Sequence, residues 1–323
     1  MEREQIVLSS TNIDKHGMVM TKESLVKSLD ALNSDRNVRL GLEHNMSFPP
    51  LGRITDAEVI EGKDGAHYLV AYKEFLNIRQ ETILEDGSIL YKEYFENNPK
   101  PFVESKPKPN DVIEINTDPV NFDGIEAYEE FIQNLKIESG EEFSSIMLIR
   151  KSHIPDPELV IKITSIIATS MGIIASKIPE KIGEAIGEDI AKFYKLLRVS
   201  VMNMVKKAIP KLRPITFIME IHDEEIFIEL LVVSNNPDEV INSFSPEKLT
   251  TIKTKIETSK NMFDAEKIQF TLDESKEWVL NYMLTKDGSV IGTKKAFDRR
   301  DLVFKELVNK LIEKNNFDDK RNS

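Results

Sequence analysis

The chain of 323 residues contains no cysteine. Disulfide bonds, thiolate zinc sites and a cysteine nucleophile are therefore excluded, and the composition is typical of a reducing compartment. Basic residues are also in deficit, with 43 lysines and arginines against 55 aspartates and glutamates, for a net charge of −12. This balance disfavours the non-specific phosphate contacts by which basic domains bind nucleic acid. We therefore expect protein partners rather than nucleic acid.

Signals for export and for membrane spanning are missing as well. The first residues, MEREQIVLSS, contain no basic segment followed by a long apolar core, so we expect no secretory signal peptide and a cytoplasmic protein. The apolar run of residues 163–176 is interrupted by threonine and serine and is shorter than the ~20 residues that a span needs. It predicts a buried helix, while membrane contact through the helices of residues 156–210 stays open.

The sequence has no glycine-rich phosphate loop, kinase motif set or Gly-x-Ser-x-Gly elbow. Its five histidines show no HxxxH or HExxH spacing; they are His16, His44, His67, His153 and His222. Asp56, Glu61 and Lys63 are similar to the Asp…Glu-x-Lys set of metal nucleases, but the last two fall at a hairpin end, where charged residues are common. We predict no metal ion and no cofactor.

Segments with alternating apolar and polar residues predict strands, and apolar residues at helical spacing predict helices. The predicted hairpins are 54–60 with 67–75 around Asp64-Gly65, and 215–221 with 226–233. The predicted helices are 21–33, with Thr21 as N-cap, 125–135 and 179–209, and residues 91–96 also fit a helix.

Two prolines in residues 153–157 predict a linker. We therefore expect an α+β protein in three parts. These are a first domain of residues 1–150, a helical connector of residues 151–211, and an α+β domain of residues 212–323 built on an antiparallel sheet.

Several short stretches in the first domain follow one another in a recognisable order. They are the strand, turn and helix of residues 9–25, Leu42-Glu43-His44-Asn45, Pro50-Leu51-Gly52-Arg53-Ile54, and the hairpin ending in Tyr68-Leu69-Val70. Over about residues 6–115 the chain resembles the tailed-phage prohead (capsid-maturation) serine protease family. The resemblance implies a small β-barrel with flanking helices, in which a histidine and a serine form a peptidase site.

By this resemblance His44 would be the general base, and Ser105 holds the nearest position to the family's nucleophile. Two departures are present: Asn45 stands where an acidic residue usually follows the histidine, and Ser105 is followed by Lys106-Pro107 rather than by a glycine that exposes N–H groups to an oxyanion. Ser88, in an Asp-Gly turn, is a second candidate for the nucleophile.

Three functions stay open at this point. The leading hypothesis is a protein-interaction or scaffold protein whose barrel lacks peptidase activity, and the resemblance suggests a prophage, mobile-element or anti-phage defence setting. The second is an active serine endopeptidase that uses His44 and Ser105. The third is a membrane-acting protein that uses residues 156–210. An oligomer is compatible with each of them.

Overall fold

The computed structural model describes residues 4–13, 19–42, 45–84, 87–103, 113–148, 157–174, 183–223 and 226–322; the side chains of 183–186 and 311–322 are not described. The chain forms two compact units. Unit 1 comprises residues 1–42, 48–104 and 284–323, and unit 2 comprises residues 43–47 and 105–283. Helices and strands are mixed in the chain, which confirms the α+β prediction at this level. The predicted borders near residues 150 and 211 both fall inside unit 2.

The strands, in chain order, are β1 (Glu4–Ser10), β2 (Val38–Leu40), β3 (Gly52–Glu61), β4 (His67–Phe75), β5 (Ile78–Ile83), β6 (Ile89–Tyr94), β7 (Glu114–Thr117), β8 (Ser144–Met147), β9 (Glu158–Ile163), β10 (Ile215–His222), β11 (Phe227–Ser234), β12 (Ala265–Leu272), β13 (Trp278–Thr285) and β14 (Val290–Thr293). The α-helices are α1 (Lys22–Leu32), α2 (Ile125–Ser139), α3 (Ser165–Ser170), α4 (Gly183–Lys207), α5 (Pro237–Ser243), α6 (Pro246–Phe263) and α7 (Lys294–Asn322).

Unit 1 contains a four-stranded antiparallel sheet in the order β1-β4-β3-β2. The predicted hairpin of β3 and β4 is confirmed, with Gly65 at φ 76° in the turn between them. Helix α1 begins at the predicted cap, because the Thr21 hydroxyl accepts a hydrogen bond from the Ser24 amide. Its buried Leu25 packs on one face of the sheet with Leu69 and Ala71.

The remaining strands of unit 1 lie in the order β5-β6-β14. Residues 91–94 are therefore part of a strand, and the helix that fitted residues 91–96 is wrong. The reason is long-range: β6 pairs in antiparallel fashion with β5 on one side and with β14 on the other. At the centre of this group the Glu93 carboxylate is buried between the guanidinium groups of Arg79 and Arg300.

Unit 2 is built on a sheet in the order β13-β12-β11-β10-β9-β7-β8. Strands β9 and β10 are parallel, as are β11 and β12, whereas β10 and β11 are antiparallel. The antiparallel sheet predicted for residues 212–323 is thus a mixed sheet. Helices α5 and α6 form a long crossover between β11 and β12, and such a crossover is what a parallel pair requires.

Residues 158–163, expected in the helical connector, form the buried strand β9, and α3 is a single short helix after it. A short apolar run does not separate a buried strand from a buried helix. Helices α3, α5 and α6 contact strands β10, β11 and β12 of the unit 2 sheet, and one face of this sheet is almost wholly apolar. Its buried side chains include Ile161, Phe217, Met219, Ile221, Ile228, Leu230, Ile268 and Phe270.

Candidate functional site

The second face of the unit 2 sheet carries a row of charged and polar side chains. Because residues alternate between the two faces of a strand, the register places five of them directly opposite one another across five adjacent strands. They are Glu114, Lys162, Glu220, Glu229 and Gln269. Such a row through a sheet interior is unusual, since charged groups are buried only when they are paired.

The most buried part of this row is a connected set of hydrogen bonds. The Lys267 ammonium lies 2.6 Å from Glu229 Oε1, and both side chains are fully buried. Gln269 Nε2 donates to Glu229 Oε2 at 2.6 Å, and Asn281 Nδ2 donates to Gln269 Oε1 at 2.6 Å. The two bonds to the Glu229 carboxylate are charge-assisted and belong to the stronger kind that a protein forms.

The same side chains hold a short segment of the chain that follows His44. Gln269 Nε2 donates to the carbonyl oxygen of Met46 at 2.9 Å, and Asn281 Nδ2 donates to that of Ser47 at 2.8 Å. The Asn45 Oδ1 atom accepts hydrogen bonds from the backbone and the hydroxyl of Ser47, which closes a tight turn. The buried network therefore anchors residues 45–47.

His44 and Ser105, the two residues predicted for a peptidase site, lie outside the described residues. His16 and His153 lie outside them too. Of the remaining histidines, His222 stacks on Phe227 with 4.1 Å between ring centroids, and its Nε2 atom is 3.5 Å from the Glu220 carboxylate. Within the ranges that the structure describes, no group of histidine, aspartate and glutamate could hold a metal ion.

Unit 1 contains a cavity of about 510 Å³. This volume lies within the range of roughly 300–1,000 Å³ that is usual for ligand pockets. Its lining residues come from the end of α1, the middle of β3, β4 and the segment after β6. They are Leu32, Asn33, Ser34, Arg36, Asn37, Arg53, Ile54, Thr55, Asp56, Ala57, Glu58, Tyr72, Asn98 and Lys100. We refer to it as the unit 1 pocket.

A β-bulge forms one side of the unit 1 pocket. The pairing of β3 with β4 shifts register between Thr55 and Glu58, and Asp56 adopts a left-handed backbone with φ 50°. Asn33 holds the extra residue, because its side-chain amide donates to the Ala57 carbonyl oxygen at 2.8 Å and accepts from the Ala57 amide at 2.9 Å. Bulges of this kind re-aim side chains and are common beside binding sites.

Asn98 and Lys100 also line the pocket, and buried polar side chains hold their segment in place. Arg53 donates to the Asn98 carbonyl oxygen at 2.8 Å and to Glu74 at 2.7 Å, and its guanidinium lies 4.0 Å from the centre of the Phe95 ring. Asn37 Nδ2 donates to the Lys100 carbonyl oxygen at 2.5 Å. The fold therefore fixes this side of the pocket before any ligand binds.

Three cations line the pocket, against two carboxylates. Arg36 and Arg53 are held by hydrogen bonds to the chain. The Lys100 ammonium, by contrast, has neither a hydrogen bond nor an ion pair with the residues that the structure describes. Asp56 and Glu58 are the carboxylates, and both are exposed. The lining thus offers a site for a negative group beside acceptors for N–H or O–H donors.

The sequence carries little signal for this pocket. In the sequence, Asp56 stands out only through a weak similarity to a metal-nuclease motif. In the structure, it lines the unit 1 pocket at the β-bulge instead. The pocket depends on pairs such as Asn33 with Ala57 and Asn37 with Lys100, which are distant along the chain.

Comparison of the chain with family models, with curated proteins and with solved structures finds no match. Among the helices over the described residues, none is long and apolar enough to cross a membrane.

Proposed function

We propose that this chain is a protein-interaction protein and that the unit 1 pocket receives an acidic segment of a protein partner. The observation that carries the proposal concerns Lys100, which lines the pocket with Arg36 and Arg53 and whose ammonium has no hydrogen bond or ion pair among the described residues. A carboxylate placed there would form charge-assisted hydrogen bonds, the stronger class in proteins.

The two carboxylates of the pocket favour a peptide over a phosphate-bearing ligand. A phosphate group carries about −1.5 to −2 charge near neutral pH, so Asp56 and Glu58 would repel it more strongly than a single carboxylate. An acidic peptide segment brings a carboxylate for the cations and backbone N–H groups for the acceptors. The mixed charge of the lining therefore matches a peptide best.

We infer that unit 1 is related to the prohead-protease barrel, of which the antiparallel sheet of β1 to β4 would be one part. A prophage, mobile-element or anti-phage defence setting follows from that resemblance alone. The serine endopeptidase with His44 and Ser105 stays a prediction, because both residues lie outside the described ranges.

The test is an array of short random peptides in matched pairs, in which each aspartate or glutamate is replaced by asparagine or glutamine in the second member. Fluorescently labelled protein should prefer the acidic members. The Lys100→Glu variant should bind the selected peptides about tenfold more weakly or worse, since a hydrogen bond to a charged group is worth about 1.5–3 kcal/mol.

Lys63→Glu is the matched control, because Lys63 is an exposed lysine in the turn between β3 and β4 and does not line the pocket. It should bind like the unchanged protein. Equal binding of acidic and amidated peptides, or equal affinity of the Lys100→Glu and Lys63→Glu variants, would contradict the proposal. Inorganic phosphate added as a competitor should displace the peptide only at concentrations where chloride does so too.

A further inference from the structure

The end of helix α4 and the turn that follows it form a basic and apolar tip on unit 2. Residues 206–213 contain four cations, Lys206, Lys207, Lys211 and Arg213, and no acidic residue, in a chain whose net charge is −12. Cations at a helix C-terminus are common because they interact favourably with its carbonyl groups. The apolar side chains between them are what makes this end of the helix unusual.

Leu212 projects from the tip almost without protein contact. The Arg213 amide donates to the Pro210 carbonyl oxygen at 3.2 Å, so Lys211 and Leu212 are the two central residues of a β-turn. Leu212 is 97% exposed, a value that few leucines in a folded chain reach. The turn therefore presents a leucine side chain at its outermost point.

Further apolar side chains continue this surface along α4. Met202 is 49% exposed and lies four residues before Lys206 on α4, a spacing that places the two side chains on one face of the helix. Ile209, 37% exposed, follows two residues after the end of the helix. The tip is also held in place, because the Ile209 amide donates to the Asn121 carbonyl oxygen at 2.9 Å. We name the surface of Met202, Lys206, Ile209, Lys211 and Leu212 the basic tip.

We propose that the basic tip binds the surface of an anionic lipid bilayer, with Leu212 inserted among the headgroups. A protruding side chain suits a deformable interface, whereas a protein partner would need a matching cavity. Lysines near a negatively charged leaflet are attracted electrostatically, and apolar side chains add the gain of leaving water. The tip is positively charged and the bilayer surface is negatively charged, so the two attract each other even though the whole chain has a net negative charge.

The acidic side chains near the tip do not cancel its charge. Glu130 pairs with Lys207 at 2.8 Å. Lys211 Nζ donates to the carbonyl oxygen of Lys206, which is not a charged group, so the exposed Lys206 and Lys211 both keep a positive charge that no carboxylate neutralises among the contacts of the described residues. Asp118, close to the anchoring Asn121, is buried and accepts a hydrogen bond from the Val120 amide. Asp123 is exposed and is the nearest acidic neighbour along that segment.

The experiment is co-sedimentation of the full chain with vesicles of phosphatidylcholine, with and without phosphatidylserine. Binding should require phosphatidylserine and should fall as salt is added, because salt screens the attraction. Leu212→Asp should weaken the binding about tenfold, and the double variant Lys206→Glu with Lys211→Glu should do so as well. Since all three side chains are exposed, circular dichroism should show each variant to be folded.

Matched controls come from unit 1, where Leu302→Asp changes another exposed leucine (59%) and Lys27→Glu with Lys63→Glu makes the same change of charge. Both should bind like the unchanged protein. No binding to phosphatidylserine vesicles, or binding that the tip variants and the controls affect equally, would overturn the proposal. The vesicle experiment tests the basic tip alone, because the peptide binding proposed for unit 1 involves other residues.

Discussion

Replacing Lys267 by methionine lowers the free energy of unfolding by about 3–5 kcal/mol, because the buried Glu229 carboxylate then loses its ammonium partner. The two side chains are 2.6 Å apart and fully buried. The loss should extend beyond the pair, since Glu229 also accepts from Gln269, which in turn holds the Met46 carbonyl oxygen. Urea unfolding followed by circular dichroism measures the change.

Lys276→Met is the matched control for this variant. Lys276 also pairs with a glutamate, Glu239, but its side chain is 57% exposed. Exposed ion pairs contribute only about 0–1 kcal/mol, so the control should change little. Combining Lys267→Met with Glu229→Leu should recover most of the lost stability, because no unpaired charge is then buried. An equal loss of unfolding free energy in Lys267→Met and Lys276→Met would show that the buried pair does not stabilise this face of the sheet.

A second large effect is expected in unit 1, where Glu93→Leu should lower the free energy of unfolding by about 3–5 kcal/mol. Glu93 accepts from Arg79 at 2.7 Å and from Arg300 at 2.8 Å, so its removal leaves the two guanidinium groups with the partly exposed Asp301 as the carboxylate that they still share. Arg300 is 3% exposed and has little access to water. Burial alone would raise the pKa of the neighbouring Asp301, but hydrogen bonding to Arg79 and the charge of Arg300 hold this pKa below its ordinary value.

Glu81→Leu on strand β5 is the control for Glu93→Leu. Glu81 is exposed on the strand next to β6, so the same substitution there should change stability by no more than about 0.5 kcal/mol. Hydrogen exchange adds a local readout, since amides of β5, β6 and β14 should lose protection in Glu93→Leu. Unchanged protection of these strands would contradict the role given to the buried carboxylate.

Sequence patterns predict the parts of the fold that are local along the chain. The hairpin of β3 and β4 follows from strict alternation around Asp64-Gly65, and the start of α1 follows from Thr21. Elements that depend on distant partners are not predicted in this way. Strand β6 fits a helix by local pattern, and only its pairing with β5 and β14 makes it a strand.

The parallel strands of unit 2 are missed for a similar reason. Strand β9 is buried on both faces and therefore reads as a continuous apolar run, without the alternation that marks an exposed sheet. Helices α5 and α6 then carry the chain from β11 to β12 as a crossover, which short-range patterns do not reveal.

The candidate site is less predictable than the fold. A binding pocket depends on which side chains meet, and the pairs Asn33 with Ala57 and Arg53 with Asn98 join positions far apart in the chain. Nothing in the residues around Asp56 marks a bulge, since the hydrogen bonds that hold it join Ala57 to Asn33, which is distant along the chain. The buried pair of Glu229 and Lys267 is equally invisible, because each residue alone resembles an exposed charge in a strand.

Photo-crosslinking tests the central claim most directly. An acidic peptide selected on the array would carry a photoreactive group beside its carboxylate, and mass spectrometry would locate the attachment after digestion. We expect attachment to residues 55–58 and 98–100 of unit 1, with loss of the product in Lys100→Glu and full yield in Lys63→Glu. Attachment confined to unit 2, or a yield that Lys100→Glu leaves unchanged, would show that the unit 1 pocket is not the site of recognition.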